Sequence, residues 1–339
     1  MDIFETAKIG QMEVKNRVVM PPMDMYSAGD DGKITPFHMT HYTTRVVGGV
    51  GLVITEVVAV SPEGRISAND LGLWEDDQKE GMKNLVEACH ALDGKIAMQI
   101  GHAGRKCEVE GLPHMAPSAI DFNPEEYPVP MEMTKEDIDK AIQDFQAAAK
   151  RAAEVGFDGL EIHAAHGYLI HEFLSPLSNE RTDEYGGSLE NRVRFLAEVI
   201  AAIKEVWPAE RPLWMRVSAT DHAPGGIDCD EMVKIVNLVK DDIDLVHVSS
   251  GGLITVPIHL FAGYQVQYAE QIRRECDIPV IAVGLIEDFT LAQNIIEDER
   301  ADFVALGREL LRNPYWFLHA LYRRKMKEDI PEAYHRAFK

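Results

Sequence analysis

The 339-residue chain is poor in cysteine and holds no long apolar run. Its four cysteines (Cys89, Cys107, Cys229, Cys276) are scattered and form no C-x-x-C pair. That argues against a disulfide framework and against an iron–sulfur cluster. No stretch approaches the roughly 18–20 apolar residues needed to span a bilayer. The opening MDIFETAKIGQMEVKN lacks a basic start followed by an apolar segment, so no signal peptide is expected. Positive charge is scarce: 34 Lys and Arg against 56 Asp and Glu give a net −22. Such a surface repels phosphate backbones and makes nucleic acid a poor partner. No G-x-G-x-x-G follows any apolar run, so the fingerprint of a dinucleotide crevice is missing. No Pro/Gly/Ser-rich linker divides the chain. These absences leave a cytoplasmic protein, with 46% hydrophobic residues to build a sizeable core.

What is present is a repeat of short apolar runs: RVVMPP (17–22), GLVITE (51–56), IAMQIG (96–101), GLEIHA (159–164), LWMRVS (213–218), LVHVSS (245–250), PVIAVG (279–284) and FVALGR (303–308). Each is rich in β-branched or large apolar residues without strict alternation, as strands buried on both faces are. Helical stretches separate them, among them 78–92, 134–155, 189–206, 230–240 and 289–296. Thr134 with Asp137, and Ser188 with Asn191, read as helix starts. A doubly wound sheet would alternate in the same way but would be supported by the glycine fingerprint. Eight strand–helix alternations predict an α/β fold, a (β/α)8 TIM barrel, with residues 7–16 as a hairpin capping its N-terminal end. The organisation predicted is one domain over 1–339, with 328–339 as a C-terminal tail.

Barrel chemistry sits at the C-terminal ends of the strands. Those ends carry Asp24, Glu56, Gln99, His102, His163, His166, Arg216, Ser249, Ser250, Gly284, Gly307 and Arg308. Gly307-Arg308 after the last strand suits a phosphate, because glycine admits it to backbone N–H groups and the helix start and arginine supply positive charge. A plain turn with a solvated arginine is the alternative. The phosphate reading, with Gln99 and Arg216 facing the same mouth, points to a phosphorylated cofactor with a polar ring.

The stretch EIHAAHGYLIHEFLSPLSNERTDEYGG (161–187) places His163, His166, Tyr168 and His171 within nine residues, directly after a strand. Three readings stand side by side. A metal site would need more than H-x-x-H, and no carboxylate cluster completes one. Packing histidines satisfied by neighbours are the second. In the third, two neutral histidines donate hydrogen bonds to a substrate oxygen, and Tyr168, a phenol protonated at pH 7, donates a proton to a developing carbanion.

That stretch, together with PPMDMYS, MQIGHAGRK, MRVSATD and VALGRELLRNP, resembles the old yellow enzyme family of FMN-dependent ene-reductases over nearly the whole chain. TPFHMTHY, HAGRK and AYHRAF resemble its bacterial thermophilic-like subclass, the NADPH dehydrogenases. Longer relatives carry an iron–sulfur cluster and a second nucleotide-binding domain; this chain ends before either and lacks the cysteines. The resemblance implies bound FMN. Pro21, Pro22, Met23 and Asp24 match the segment along the flavin, Val57 a small residue beside the ring, and Gln99 the amide at the pyrimidine edge. Arg216 matches the cation near N1, and Gly284, Gly307 and Arg308 match the phosphate end. His163 and His166 match the pair holding the substrate's carbonyl oxygen, Tyr168 the proton donor and Tyr26 a second phenol on the substrate. Lys106 belongs to the same substrate-side pattern. Arg336 matches an arginine inserted into a neighbouring subunit's site, which implies a homodimer or a dimer of dimers.

The family's scheme takes hydride from NADPH or NADH onto the flavin. Hydride then passes to Cβ of an enone, quinone, steroid enone or enoate, while Tyr168 protonates Cα. One position departs. Where the subclass has cysteine, this chain has Asp24. The expectation is an ionised carboxylate that opposes the flavin's gain of negative charge; the alternative is an Asp24 turned away to cap a backbone N–H. Two rival functions remain: a metal-dependent barrel hydrolase, and a flavin-binding protein without turnover.

Overall fold

Strands form where the apolar runs lie, and they close on themselves. The computed structural model describes residues 1–338. β1 (Ala7–Ile9) and β2 (Met12–Val14) pair as an antiparallel hairpin. Then come β3 (Val18–Met20), β4 (Leu52–Ala59), the short β5 (Leu71–Gly72), β6 (Ile96–Gly101), and the two-residue β7 (Met115–Ala116) and β8 (Met131–Glu132). β9 (Gly159–Ala164), β10 (Leu213–Ser218), β11 (Val246–Ser249), β12 (Val280–Ala282) and β13 (Phe303–Ala305) complete the set. The parallel ladder runs β3–β4–β6–β9–β10–β11–β12–β13 and returns to β3, a closed eight-stranded barrel. The predicted runs 96–101, 159–164 and 213–218 coincide with β6, β9 and β10.

The barrel interior is packed, not hollow. Val19, Leu52, Ile54, Ala97, Leu245, Ile281 and Phe303 meet inside it, and Trp214 fills the space against Gly159. Burying such a side chain is worth about 1.5–3 kcal/mol each. Ile9 and Val14 of the hairpin join the same cluster, so β1–β2 seals the barrel floor. The turn needs Gly10: its φ is +53°, and a Cβ there would stand 2.7 Å from the Asp244 carboxylate.

The outer layer is α1 (Pro36–Val47), α2 (Lys79–Ala91), α3 (Lys135–Val155), α4 (Leu169–Leu174), α5 (Leu189–Lys204), α6 (Cys229–Val239), α7 (Val266–Cys276), α8 (Phe289–Glu297), α9 (Arg308–Arg312) and α10 (Trp316–Arg323). In α3 the buried Ile138, Ala141, Phe145, Ala148, Ala149, Ala152 and Val155 recur at helical spacing, and one face lies on the barrel. Thr134 Oγ1 accepts from Asp137 N–H, and Gly156 ends the helix at φ +98°. The sequence pattern did not single out α1. FHMTHYTTRVV is rich in His, Thr, Val and aromatics, which are indifferent helix formers. Pro36 at its first turn and the Thr35–His38 capping pair start it nonetheless. Among the described residues no helix is long and apolar enough to cross a membrane.

Candidate active site

The strand ends converge at the C-terminal mouth. Register sets the geometry: Val57 lies beside Gln99, Gln99 beside Glu161, His163 beside Arg216, and Arg216 beside His247. Around this ring, the residues predicted as a site come together from β3, β4, β6, β9, β10, β12 and β13. Arg336 does not join them within the chain; it lies exposed in the tail.

The histidine motif leaves β9 and turns sharply. His166 and Gly167 take φ of +58° and +72°, and a Cβ on Gly167 would fall 2.4 Å from Gly252 O. Ser218 Oγ accepts His166 N–H and donates to Gly251 O. Lys106 Nζ donates to His166 O at 2.8 Å and to Gly252 O, and stands 3.9 Å from the Phe122 ring centre and 5.4 Å from that of Tyr168. Lys106 thus ties the motif's backbone to the loop after β11. Burial pulls its pKa down to about 8.

His163 Nδ1 accepts the Ala165 N–H at 3.3 Å. Burial, reinforced by Arg216, pushes its pKa well below the ordinary value, so the ring is neutral and its proton sits on Nε2. His166 is neutral for the same reasons, and its Nε2 lies 2.7 Å from Ser249 Oγ. The two imidazoles meet edge to face at 5.1 Å, and Tyr168 stands edge to face on His163 at 4.9 Å. Burial and the nearby Asp24 hold the Tyr168 phenol far above its ordinary pKa, so it is a proton carrier at neutral pH. His171, the motif's third histidine, is structural: its Nδ1 accepts Gly167 N–H and its Nε2 lies 3.0 Å from Asp221. Among the described residues no group of three or more His, Cys, Asp or Glu side chains is placed to hold a metal ion.

The other wall carries Pro21, Pro22, Met23 and Asp24. Register shifts between Ile54 and Val57, and Asp24 Oδ1 accepts the Val57 N–H at 3.2 Å. Burial, then the repulsion of Asp70, raises the Asp24 pKa to about 7. Asp24 thus caps a backbone donor, the alternative left open by the sequence, and its carboxyl is shifted toward the neutral form. Behind it, Glu56 accepts from Tyr42 Oη and Met25 N–H, and burial raises its pKa to about 8. Tyr26 is exposed at the rim with φ +50°, and burial of its phenol and Asp24 lift its pKa to about 12.

Deeper in, Gln99 Nε2 donates to Glu161 Oε1 at 2.7 Å, while its Oε1 has no partner among the described residues. Arg216 is buried, its Nε is unpartnered, and its Nη1 reaches Pro22 O only at 3.4 Å. Beside it a cavity of about 150 Å3 runs past Ser249, Tyr264, Gln265 and Gly284 to Gly307 and Arg308. Gly284 takes φ +128° against Gln265, a backbone course open only to glycine. An open acceptor, a buried cation short of hydrogen-bond partners and a glycine-lined slot ending in arginine fit the pyrimidine edge, the N1–O2 edge and the phosphate of FMN. Sequence reasoning missed Glu161 and His247. The available signal was ionisable residues inside strands that are otherwise apolar on both faces.

Residues 2–327 match the model of the NADH:flavin oxidoreductase / NADH oxidase family. The chain is 53% identical to an NADPH dehydrogenase of Clostridium acetobutylicum over 339 residues, the whole of both chains. The fold superimposes on the old yellow enzyme homologue of Zymomonas mobilis with a TM-score of 0.82 at 29% identity, covering 96% of this chain and 93% of that one. It also superimposes on a complex of 2-naphthoyl-CoA reductase with 2-naphthoyl-CoA (TM-score 0.88, 27% identity), covering 93% of this chain but only 51% of that one. Fold and site therefore define a flavin oxidoreductase built on a TIM barrel. The chain belongs to the NADH:flavin oxidoreductase family, in its old yellow enzyme branch. Its cofactor is FMN and its reductant is NAD(P)H.

Proposed function

We propose that the oxidised substrate is an α,β-unsaturated carbonyl compound (an enone, a quinone, a steroid enone or an enoate) whose activated C=C bond is reduced. The observation that carries this reading is the pairing of an unengaged His163 Nε2–H with a protonated Tyr168 phenol whose oxygen has no partner among the described residues. The bound flavin supplies the hydride. His163, with His166 beside it, donates to the substrate oxygen as that oxygen becomes enolate-like, so the bonds strengthen toward the transition state. Tyr168 delivers the proton to Cα. Lys106 and Ser218 hold the loop that aims these groups. Neutral imidazoles suit this role, since burial has removed their competition as bases.

Tyr168→Phe tests the reading. The variant keeps FMN and NADPH oxidation by a quinone, while enone reduction slows by about 10²–10⁴-fold, the usual worth of a general acid. Equal loss on both acceptors removes Tyr168 from the proton step. A protein that NADPH bleaches but no enone reoxidises would return the reading to a flavin-binding chain without this turnover. The same proposal includes assembly: Arg336, exposed in the tail, enters the pocket of a second copy in a homodimer or a dimer of dimers.

A further inference from the structure

Beneath the site floor lies a closed polar layer that the proposed chemistry does not use. Glu161 is fully buried on β9. Its Oε1 accepts from Gln99 Nε2 at 2.7 Å, and its Oε2 accepts from Trp214 Nε1 at 2.6 Å and from His247 Nδ1 at 2.8 Å. Gln99, Trp214 and His247 come from three other strands and are themselves buried. Burial alone would push the Glu161 carboxyl up, but His247, Arg216 and the indole together hold it below the ordinary carboxylate value. The histidine's Nδ1 faces the carboxylate and its Nε2 has no partner; burial lowers its pKa, and the carboxylate opposes that shift. The layer therefore sets a buried carboxylate two residues before His163, the residue that pairs with Arg216 across β9 and β10.

Two consequences follow from this wiring. A carboxylate only accepts, so Gln99 can present to it only its NH2 group. The amide is locked in one of its two flips, with its carbonyl oxygen and second N–H left for a ligand. Glu161 is also the carboxylate that acts most strongly on Arg216, ahead of Asp24, whose own carboxyl is raised to about 7 by burial.

We propose that Glu161 is a positioning residue for FMN: through Gln99 it fixes which hydrogen-bonding face meets the flavin's pyrimidine edge, and as the counter-charge of Arg216 it sets how strongly that cation favours reduced over oxidised flavin. The inference rests on the family's cofactor and not on the identity of the enone. It also separates two properties that a single flavin contact would merge, namely affinity and potential.

Two variants divide them. Glu161→Gln removes the charge, and its amide no longer dictates the Gln99 flip. Reduced FMN should then gain about tenfold in affinity relative to oxidised FMN, a rise of about 30 mV for a two-electron couple, and oxidised FMN should bind more weakly to the apoprotein. Glu161→Asp keeps the charge but withdraws it from Gln99. The potential should stay near the wild-type value while affinity for oxidised FMN falls severalfold. In a Gln99→Ala background, Glu161→Asp should cost no further affinity, because the positioning route is already gone. Readouts are fluorescence titration of apoprotein with FMN and spectroelectrochemical midpoint potentials. Wild-type affinity and potential in both Glu161 variants would overturn the inference. So would an additive loss in the Gln99→Ala background, which is the mark of general destabilisation. Should Glu161→Gln fail to fold, Glu161→Asp and the double variant decide alone. A wild-type chain that takes up no FMN would overturn the cofactor assignment, and this inference with it.

Discussion

At the residue scale, Asp24 carries the clearest pH signature. Its carboxyl is raised to about 7 and that of Glu56 to about 8, from ordinary values near 4. Between the unfolded and folded pKa values the native state binds more protons than the unfolded chain, so stability falls as pH rises through that window. The usual paired carboxylate behaves in the opposite way. Apoprotein melts should therefore show Tm declining from about pH 4 to about pH 8 through these groups, and Asp24→Asn should flatten part of the slope. An unaltered slope in the variant would show that Asp24 titrates as it does in the unfolded chain. In the holoprotein, Asp24→Asn should raise the flavin potential above pH 7, where the native group is charged, and leave it unchanged near pH 5.5. The charge effect on the flavin and the capping alternative were legible in the sequence; the raised pKa was not. The position and the chemical departure could be read, but burial beside Asp70 and the Val57 N–H is a property of the fold.

At the element scale, the β9–α4 connection does most to place the chemistry. Its strand was legible because GLEIHA is apolar enough to be buried on both faces, and its turn because Gly167 sits between the histidines and Tyr168. The single hydrogen of Gly167 lets the loop pass against Gly252 O. Gly167→Ala should cost about 1–3 kcal/mol of backbone strain and swing Tyr168 away from His163. Turnover should then fall by more than Tm alone explains, while FMN content stays high. A variant with native turnover would show that the loop tolerates a Cβ by shifting the loop after β11 instead. Helix α1 was not singled out from the sequence because its signal is in its cap, not its periodicity. The polar layer went unread because a lone Glu161 in GLEIHA and a lone His247 in LVHVSS mean little until the strands lie side by side.

At the scale of the whole molecule, the alternation of strands and helices was enough to predict the barrel, since eight parallel strands with interposed helices have few ways to bury both faces. The tail was legible only as a polar and aromatic segment. Within the chain, Tyr334 meets Tyr315 at 5.8 Å, Phe338 meets His319 and Tyr322 at 5.6 and 5.5 Å, and Arg336 is left exposed. Truncation after Ile330 should raise the KM for an enone several-fold and shift the oligomer toward monomer in sedimentation, with FMN retained. Arg336→Ala should reproduce the KM effect without the change in assembly. A truncated chain with native KM and native size would separate the tail from both roles.

The hairpin seal has a further consequence. Trp214 Nε1–H is 0% exposed and points into a layer closed below by Ile9 and Val14. Its proton has no local route to solvent, so it should exchange for deuterium only when the barrel opens as a whole, and its exchange rate would then report the global free energy of unfolding. The chain has four tryptophans. One indole resonance that outlasts the other three in D2O would be this one, and its chemical shift would follow the charge state of the carboxylate it touches.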